Sequence, residues 1–211
     1  MRAPEPTVYL VDDDASVCRS LARLLKAVGY RAQTFRSPDE FLRNYRDGSP
    51  GCLVLDLHLP GMSGLEVQET LAGGEQSLPV IFITGHGTVP ASVRAMKGGA
   101  VDFLSKPFLA KELLEAVDEA LERSRRQYAL RQELDALRER LDTLTHRECQ
   151  VLEGVVAGKL NKQIAVELGT SEKTIKVHRG RVMEKMHADS VAELVRAIER
   201  LRRPTSGAKP Q

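Results

Sequence analysis

Cysteine is scarce: Cys18, Cys52 and Cys149 are the three in the chain. An odd number with no C-x-x-C spacing argues against a disulfide frame or a zinc site and fits free thiols in a reducing compartment. Cys52 falls in an apolar strand and Cys18 on a helix, where each is expected to act as a small buried hydrophobe. No apolar run is long enough to span a bilayer. The opening MRAPEP lacks the apolar core of a signal peptide and reads as a short mobile tail. A cytoplasmic protein with no membrane partner is therefore expected. From about Lys111 to Leu144 there is neither Pro nor Gly, which leaves a long charged helix as the natural reading.

At 211 residues the chain suits one large domain or two small ones. Its net charge of +2 conceals an asymmetry, for residues 143–211 carry 13 Lys/Arg against 8 Asp/Glu while the remainder carries 18 against 21. A basic C-terminal part behind a mildly acidic N-terminal part hints at a polyanionic partner for one end only.

The chain is organised around CLVLDLHLPGMSG, residues 52–64. An apolar run that reads as a strand buried on both faces ends in Asp56, and the turn formers Pro60, Gly61, Ser63 and Gly64 follow. Taken alone, Asp56 either starts a loop or sits where open α/β sheets bind ligands, at the carboxyl end of a strand. Three further apolar strands bear on the choice. Residues 8–11 end in Asp12, Asp13 and Asp14, residues 79–83 in Thr84, and residues 101–104 in Ser105, Lys106 and Pro107. Helical spacing over residues 16–28 and 90–97, a Ser37–Pro38 start with Glu40 completing a capping box, and a helix from Leu65 to Gly73 and Gly74 separate the strands. Alternation of this kind implies right-handed crossovers and a parallel sheet, which gathers an acid cluster, an acid, a hydroxyl and an ammonium on one edge. Clustered carboxylates call for a cation, and oxygen-only ligands favour Mg²⁺ (or Mn²⁺). With a lysine and a hydroxyl to take phosphate oxygens, the set suggests phosphoryl transfer to a carboxylate nucleophile.

VDDD, LDLHLPGMSG, ITGHG and KPF, in this order and spacing, resemble the receiver domain of two-component response regulators. The run ITGHGTVPASVRAMKGGAVDFLSKPF is especially similar to the FixJ/StyR type. The resemblance implies a flavodoxin-like fold with five parallel strands in the order 2-1-3-4-5. It also implies Asp56 as phospho-acceptor, Lys106 and Thr84 as its catalytic partners, and Thr84 with Phe103 as the switch pair. Metal would be held by Asp13, Asp56 and the His58 backbone carbonyl, with Asp12 acting through water. His58 and His86 are expected to flank the pocket.

Beyond Pro107 two apolar ladders follow in different registers, Val117–Leu121–Ser124–Tyr128 and Leu130–Leu134–Leu137–Leu141–Leu144. The first is expected to face the sheet and the second to be free for a partner helix. Thr145 and Glu148 then fit a capping box, with Val151, Leu152 and Val155 on the core face and Gly158 as the stop. Asn161 opens a second helix closed by Gly169, Thr170 and Ser171 cap a basic third helix, and Ser190 caps a fourth. Two short helices, a tight glycine turn and a basic helix form a helix-turn-helix pattern. On the third helix Ile175, Val182 and Met186 share the core face with Met183 at its edge. Lys176, Val177, Gly180 and Arg181 face away to meet DNA, while Thr174 lies at the start and Lys173 and Arg179 flank the face to reach phosphates.

LTHRECQVLEGVVAGKLNKQIAVELGTSEKTIKVHRGRVMEKM resembles the LuxR/NarL-type DNA-binding domain. Relatives often carry a basic residue at the position of Gly180, so Arg181, or Lys176 with Val177, would take over base reading. The expected plan is a receiver over 1–123, a helical linker over 124–142, the all-α four-helix DNA-binding domain over 143–203 and a disordered tail over 204–211. The expected function is phosphotransfer from a cognate sensor histidine kinase to Asp56, controlling homodimerisation and promoter binding to activate transcription with RNA polymerase. Two alternatives remain. One is a regulator that binds DNA without phosphorylation. The other is an aspartate-nucleophile phosphatase, which usually carries a second acid where His58 stands.

Overall fold

The computed structural model describes residues 4–46, 48–73, 78–85 and 88–202. The chain divides into two compact units, Met1–Ala129 and Leu130–Gln211. In the first, strands and helices alternate as β1 (Thr7–Val11), α1 (Ala15–Ala27), β2 (Arg31–Phe35), α2 (Pro38–Asn44), β3 (Gly51–Asp56), α3 (Gly64–Ala72), β4 (Val80–Thr84), α4 (Val89–Lys97), β5 (Asp102–Ser105) and the start of α5 (Ala110–Asp142). All strand pairs are parallel and the order is β2-β1-β3-β4-β5. β3 and β4 are buried along their whole length, and their near-continuous apolar runs follow from helices covering both faces.

The two faces carry separate cores. Val11, Leu53, Leu55, Val67 and Phe82 pack under α2, α3 and α4. Val8, Leu10, Leu25, Cys52, Val54, Ile81, Ile83, Val117 and Leu121 pack under α1 and α5. Cys52 and Cys18 are both buried, and burial pushes the Cys52 thiol far above the ordinary cysteine range. Gln68 on α3 is a buried polar side chain whose Nε2 donates to the Ala95 carbonyl of α4 at 3.1 Å. Gly98 leaves room for it, since a Cβ there would lie 2.7 Å from Gln68 Oε1.

The helix starts follow the caps read from the sequence, with one change. Ser37 accepts from the Glu40 N–H, but the Glu40 carboxylate accepts from the N–H of Arg36 and not from that of Ser37. The reciprocal bond thus moves one residue upstream. The end of α3 is capped at Gly73, while Gly74 lies outside the described residues.

The first ladder on α5 lies as expected. Val117 and Leu121 are buried, and Ser124 is buried with its hydroxyl accepting from the Gly51 N–H at 2.9 Å. The second ladder is not the open seam expected for a partner helix. Leu134 and Leu137 are buried, Leu141 and Leu144 pack against the core of the second unit, and Leu130 stays 48% exposed.

In the second unit α6 (His146–Val156), α7 (Asn161–Glu167), α8 (Glu172–Lys185) and α9 (Val191–Arg202) close around Val151, Leu152, Val155, Ile164, Ile175, Val182, Met186 and Leu194. Gly158 and Gly169 end α6 and α7 at φ +76° and +60°, where a Cβ is strained. Gly154 on α6 faces Ile164, whose Cγ1 would lie 2.8 Å from a Cβ, so the missing side chain sets the close approach of α6 to α7.

Candidate functional site: an acidic sheet edge and an exposed basic helix

The parallel topology brings the carboxyl ends of β1, β3, β4 and β5 to one edge. There Asp12, Asp13 and Asp56 each place a carboxylate oxygen within 4.8 Å of the others. Asp12 and Asp56 are buried, whereas Asp13 is exposed. Lys106 Nζ donates to Asp12 Oδ2 at 2.7 Å and to Asp56 Oδ2 at 3.3 Å. Burial opposes the ammonium, but the Asp12 hydrogen bond and the Asp56 charge outweigh it and hold its pKa above the usual lysine value. The second oxygen of Asp12 accepts from the Asp14 N–H at 2.8 Å, so both of its oxygens are engaged. Asp14, the third acid of the sequence cluster, instead caps α1 by accepting from the Ser16 N–H at 2.7 Å.

Main-chain bonds lock the edge. The Lys106 N–H donates to the Thr84 carbonyl at 2.7 Å and the Leu57 N–H to the Ile83 carbonyl at 3.1 Å. α3 begins directly against the Asp56 main chain: a Cβ on Gly64 would lie 2.6 Å from the Asp56 carbonyl oxygen. Thr84 is buried, and its Oγ1 lies 3.2 Å from Nδ1 of His58, whose own surface is exposed. Phe103 is half-buried with its ring tilted against Phe82 at 6.2 Å. His86, expected at the rim, lies outside the described residues.

The other expected surface is on α8. Lys173, Lys176, Val177, Gly180 and Arg181 are exposed, while Ile175, Val182 and Met186 on the opposite side are buried. Val177 keeps half of its surface in water, and nothing lies within 4 Å of a Cβ built on Gly180, so the middle of this face is low and open. Thr174 is half-buried and its hydroxyl is 2.8 Å from that of the cap residue Ser171. Arg179 is half-buried and donates from Nη1 to Asn161 Oδ1 at 2.9 Å.

Residues 8–118 match the family described as the response regulator receiver domain. Residues 142–198 match the bacterial regulatory proteins of the luxR family. The chain belongs to the response regulators. It is 48% identical over 194 residues to nodulation protein W of Bradyrhizobium diazoefficiens, covering 92% of this chain and 86% of that one. It is 45% identical over 190 residues to the transcriptional regulatory protein FixJ of Rhizobium meliloti, covering 90% and 93% of the two chains. The solved structure of the response regulator StyR aligns with a TM-score of 0.83 at 45% identity, covering 93% of this chain and 99% of that one. The regulator therefore combines a receiver with a LuxR-type DNA-binding domain.

Three contacts of the regulator around these surfaces escape sequence reading. Arg36 donates from Nε to the Asp13 carbonyl at 3.1 Å and again from Nη2, fixing the main chain of the acidic loop from 23 residues away. Asn161 receives Arg179 across the α7–α8 turn. Lys185 donates to Glu148 Oε2 at 2.7 Å and to the Thr143 carbonyl at 2.9 Å, tying the end of α8 to the start of α6. Each joins residues far apart in sequence, and none carries a local signature. Glu148 was legible only as the third residue of the Thr145 capping box, which the structure confirms.

That last contact gives the regulator a defined acid response. The Lys185 hydrogen bond, then the Thr145 N–H, hold the Glu148 carboxyl at about 2 against an ordinary 4.5. A depressed carboxylate pKa contributes stability that is complete above the unfolded value and lost as pH falls through the folded one. Thermal unfolding of the second unit, followed by far-UV circular dichroism, is expected to weaken between about pH 4.5 and about pH 2 through this group. Glu148→Gln is expected to cost about 1–2 kcal/mol at pH 7, the low end for a charged hydrogen bond, because Lys185 keeps 34% of its side chain exposed. The same substitution should flatten the acid dependence; an unchanged acid profile would show that other carboxylates set it.

Proposed function

We propose that the regulator is a phosphorylation-gated, DNA-binding transcription factor. The single observation that carries this reading is the Lys106 ammonium bridging the buried carboxylates of Asp12 and Asp56 beside the buried Thr84 hydroxyl, in a chain that also presents an exposed basic helix in a LuxR-type domain. A cognate histidine kinase in its phosphohistidine form docks on the receiver. An Asp56 carboxylate oxygen attacks the phosphorus, an O–P bond forms, the P–N bond breaks and its electron pair leaves with the imidazole. Lys106 then pairs with the acyl phosphate, and Thr84 leaves His58 to donate its hydroxyl proton to a phosphoryl oxygen.

Three oxygen donors within 4.8 Å of one another suit one hard cation. Asp13, Asp56 and the His58 backbone carbonyl would hold Mg²⁺ (or Mn²⁺), with Asp12, whose oxygens are both engaged, acting through water. A bound divalent ion neutralises phosphoryl charge during transfer.

Departure of Thr84 opens space for Phe103 to turn inward. Val89, Val93 and Met96 expose an apolar stripe on α4, which supports the α4–β5 face as the homodimer contact. Two copies of α8 then meet a two-fold promoter site, with Lys176, Val177 and Arg181 toward base edges and Lys173 toward phosphate. We read the output as activation through RNA polymerase and the location as cytoplasmic; no described helix is long and apolar enough to cross a membrane. The receiver is read as 1–123, the linker as 124–142, the DNA-binding domain as 143–203 and the tail as 204–211; the tail and the last residue of the DNA-binding domain lie outside the described residues. The phosphatase alternative is weakened because His58 stands where that chemistry usually carries a second carboxylic acid.

Selection of duplexes from a random pool, with and without acetyl phosphate, tests the whole reading. Enrichment of a two-fold symmetric sequence that sharpens on phosphorylation is expected. Enrichment indifferent to acetyl phosphate would favour a regulator that binds DNA without phosphorylation.

His58 supplies a finer test. Its exposed ring has Nδ1 3.2 Å from Thr84 Oγ1, and we read it as modulating water access to an acyl phosphate on Asp56. His58→Ala is expected to change autodephosphorylation severalfold while leaving phosphorylation intact, as read by loss of radiolabel after removal of acetyl phosphate. An unaltered half-life would remove His58 from the pocket's kinetics.

A further inference from the structure

We infer that Asn161 is a positioning residue for DNA binding, holding the Arg179 guanidinium ready for a backbone phosphate. The inference rests on reading α8 as the groove helix.

Arg179 stands three residues from the exposed Lys176 and four from the buried Ile175, so it lies on the border between the outward face and the core. A cation on that border meets the wall of a groove, where the phosphates are, and not its floor. Its guanidinium is already placed: Nη1 donates to Asn161 Oδ1 at 2.9 Å. Asn161 is the first residue of α7, and α7 is itself anchored by Ile164 and Ala165 in the core. The fork therefore hangs from a rigid support, although it belongs to a different helix.

The choice of an amide as partner matters. A guanidinium carries five N–H donors in a fixed plane, and one spent on Asn161 leaves the others for phosphate oxygens. An amide oxygen takes that hydrogen bond without neutralising the charge. Nearby Lys159 shows the contrast: both oxygens of Glu167 lie 2.7 Å from its Nζ, so its charge is already compensated. Pinning Arg179 also settles part of its side-chain entropy before DNA arrives, which lowers the cost of binding.

The test uses the full chain treated with acetyl phosphate, the duplex it enriches from a random pool, and a shuffled duplex, each titrated across a salt series. Arg179→Ala should reduce the slope of log affinity against log salt by about 1, because one phosphate contact is lost. Asn161→Ala should weaken binding to both duplexes about threefold to tenfold, the cost of ordering one long side chain, with little change in slope. In the Arg179→Ala background, Asn161→Ala should cost nothing further. Asn161→Asp keeps an acceptor at the helix start and favours folding there, but adds the charge an amide lacks; it should lower the slope by about 1. Thermal unfolding of each variant shows that the fold is retained.

A full Asn161→Ala cost in the Arg179→Ala background, or a wild-type slope for Asn161→Asp, would overturn the inference. If Arg179→Ala leaves the slope unchanged and Lys176→Ala leaves affinity unchanged, the groove reading of α8 fails, and the role of Asn161 fails with it.

Discussion

With Asn in place of Asp56, the chain is expected to take up no phosphoryl label from acetyl phosphate in the presence of Mg²⁺, and its dimer fraction and promoter affinity are expected to match those of the untreated wild type. The amide has the shape of the carboxylate but neither its charge nor a nucleophilic oxygen, so the O–P bond cannot form. The pocket should survive the change. Lys106 loses the partner at 3.3 Å but keeps Asp12 at 2.7 Å, and the main-chain bonds from Leu57 to Ile83 and from Lys106 to Thr84 do not involve the substituted side chain. Label uptake on a phosphoprotein gel and sedimentation velocity in the same buffer read the two effects together. Residual label on the Asn variant would mean that another group accepts phosphate. An Asn variant that dimerises and binds its promoter like the phosphorylated wild type would place the switch elsewhere.

The second large effect is expected at Lys176, which is exposed on α8 one turn before the open position left by Gly180. A lysine on a guanine edge contributes about 1–3 kcal/mol of discrimination. Lys176→Ala should therefore weaken binding to the selected duplex about tenfold to a hundredfold, and weaken binding to a shuffled duplex far less. Phosphorylation of Asp56 should be untouched, because the substitution lies in the other compact unit. Fluorescence anisotropy with both duplexes checks the prediction. Equal losses on the two would reassign Lys176 to a phosphate; no loss on either would move base reading to Arg181 and Val177.

How legible these surfaces were in the sequence depended on how local their determinants are. The strands were read within a residue or two of their ends because β3 and β4 are continuous apolar runs, and runs of that length need two covering layers. The meeting of Asp12, Asp56, Thr84 and Lys106 was legible for a topological reason: parallel strands deliver all their carboxyl ends to one edge, whatever the side chains do afterwards. The caps at Thr145 and Ser171 were legible because their partners lie three residues away; the Ser63 box of α3, with the same spacing, was read only as a turn.

The misreadings share a cause. The leucine ladder of α5 states that one stripe of a helix is apolar, but says nothing about what covers it; Leu141 and Leu144 are covered by the C-terminal core of the same chain. Glu40 has the spacing of a capping box, yet its carboxylate reaches the neighbouring N–H of Arg36. Arg179 was placed at the flank of the outward face, and only tertiary structure shows Asn161 as its neighbour there. Arg36 on Asp13 has the same character. Spacing along one element settles which face a residue occupies; it does not settle which neighbour claims a long side chain at the edge of that face.

Gln68 and Gly98 illustrate how such a tertiary claim constrains inheritance. A Cβ at 98 would lie 2.7 Å from Gln68 Oε1, and shortening Gln68 would remove one of the two donors to the Ala95 carbonyl, leaving it the Ala100 N–H at 3.1 Å. A larger residue at 98 and a glutamine at 68 compete for one space, so a change at either position is expected to be accommodated by movement of the side chain at the other.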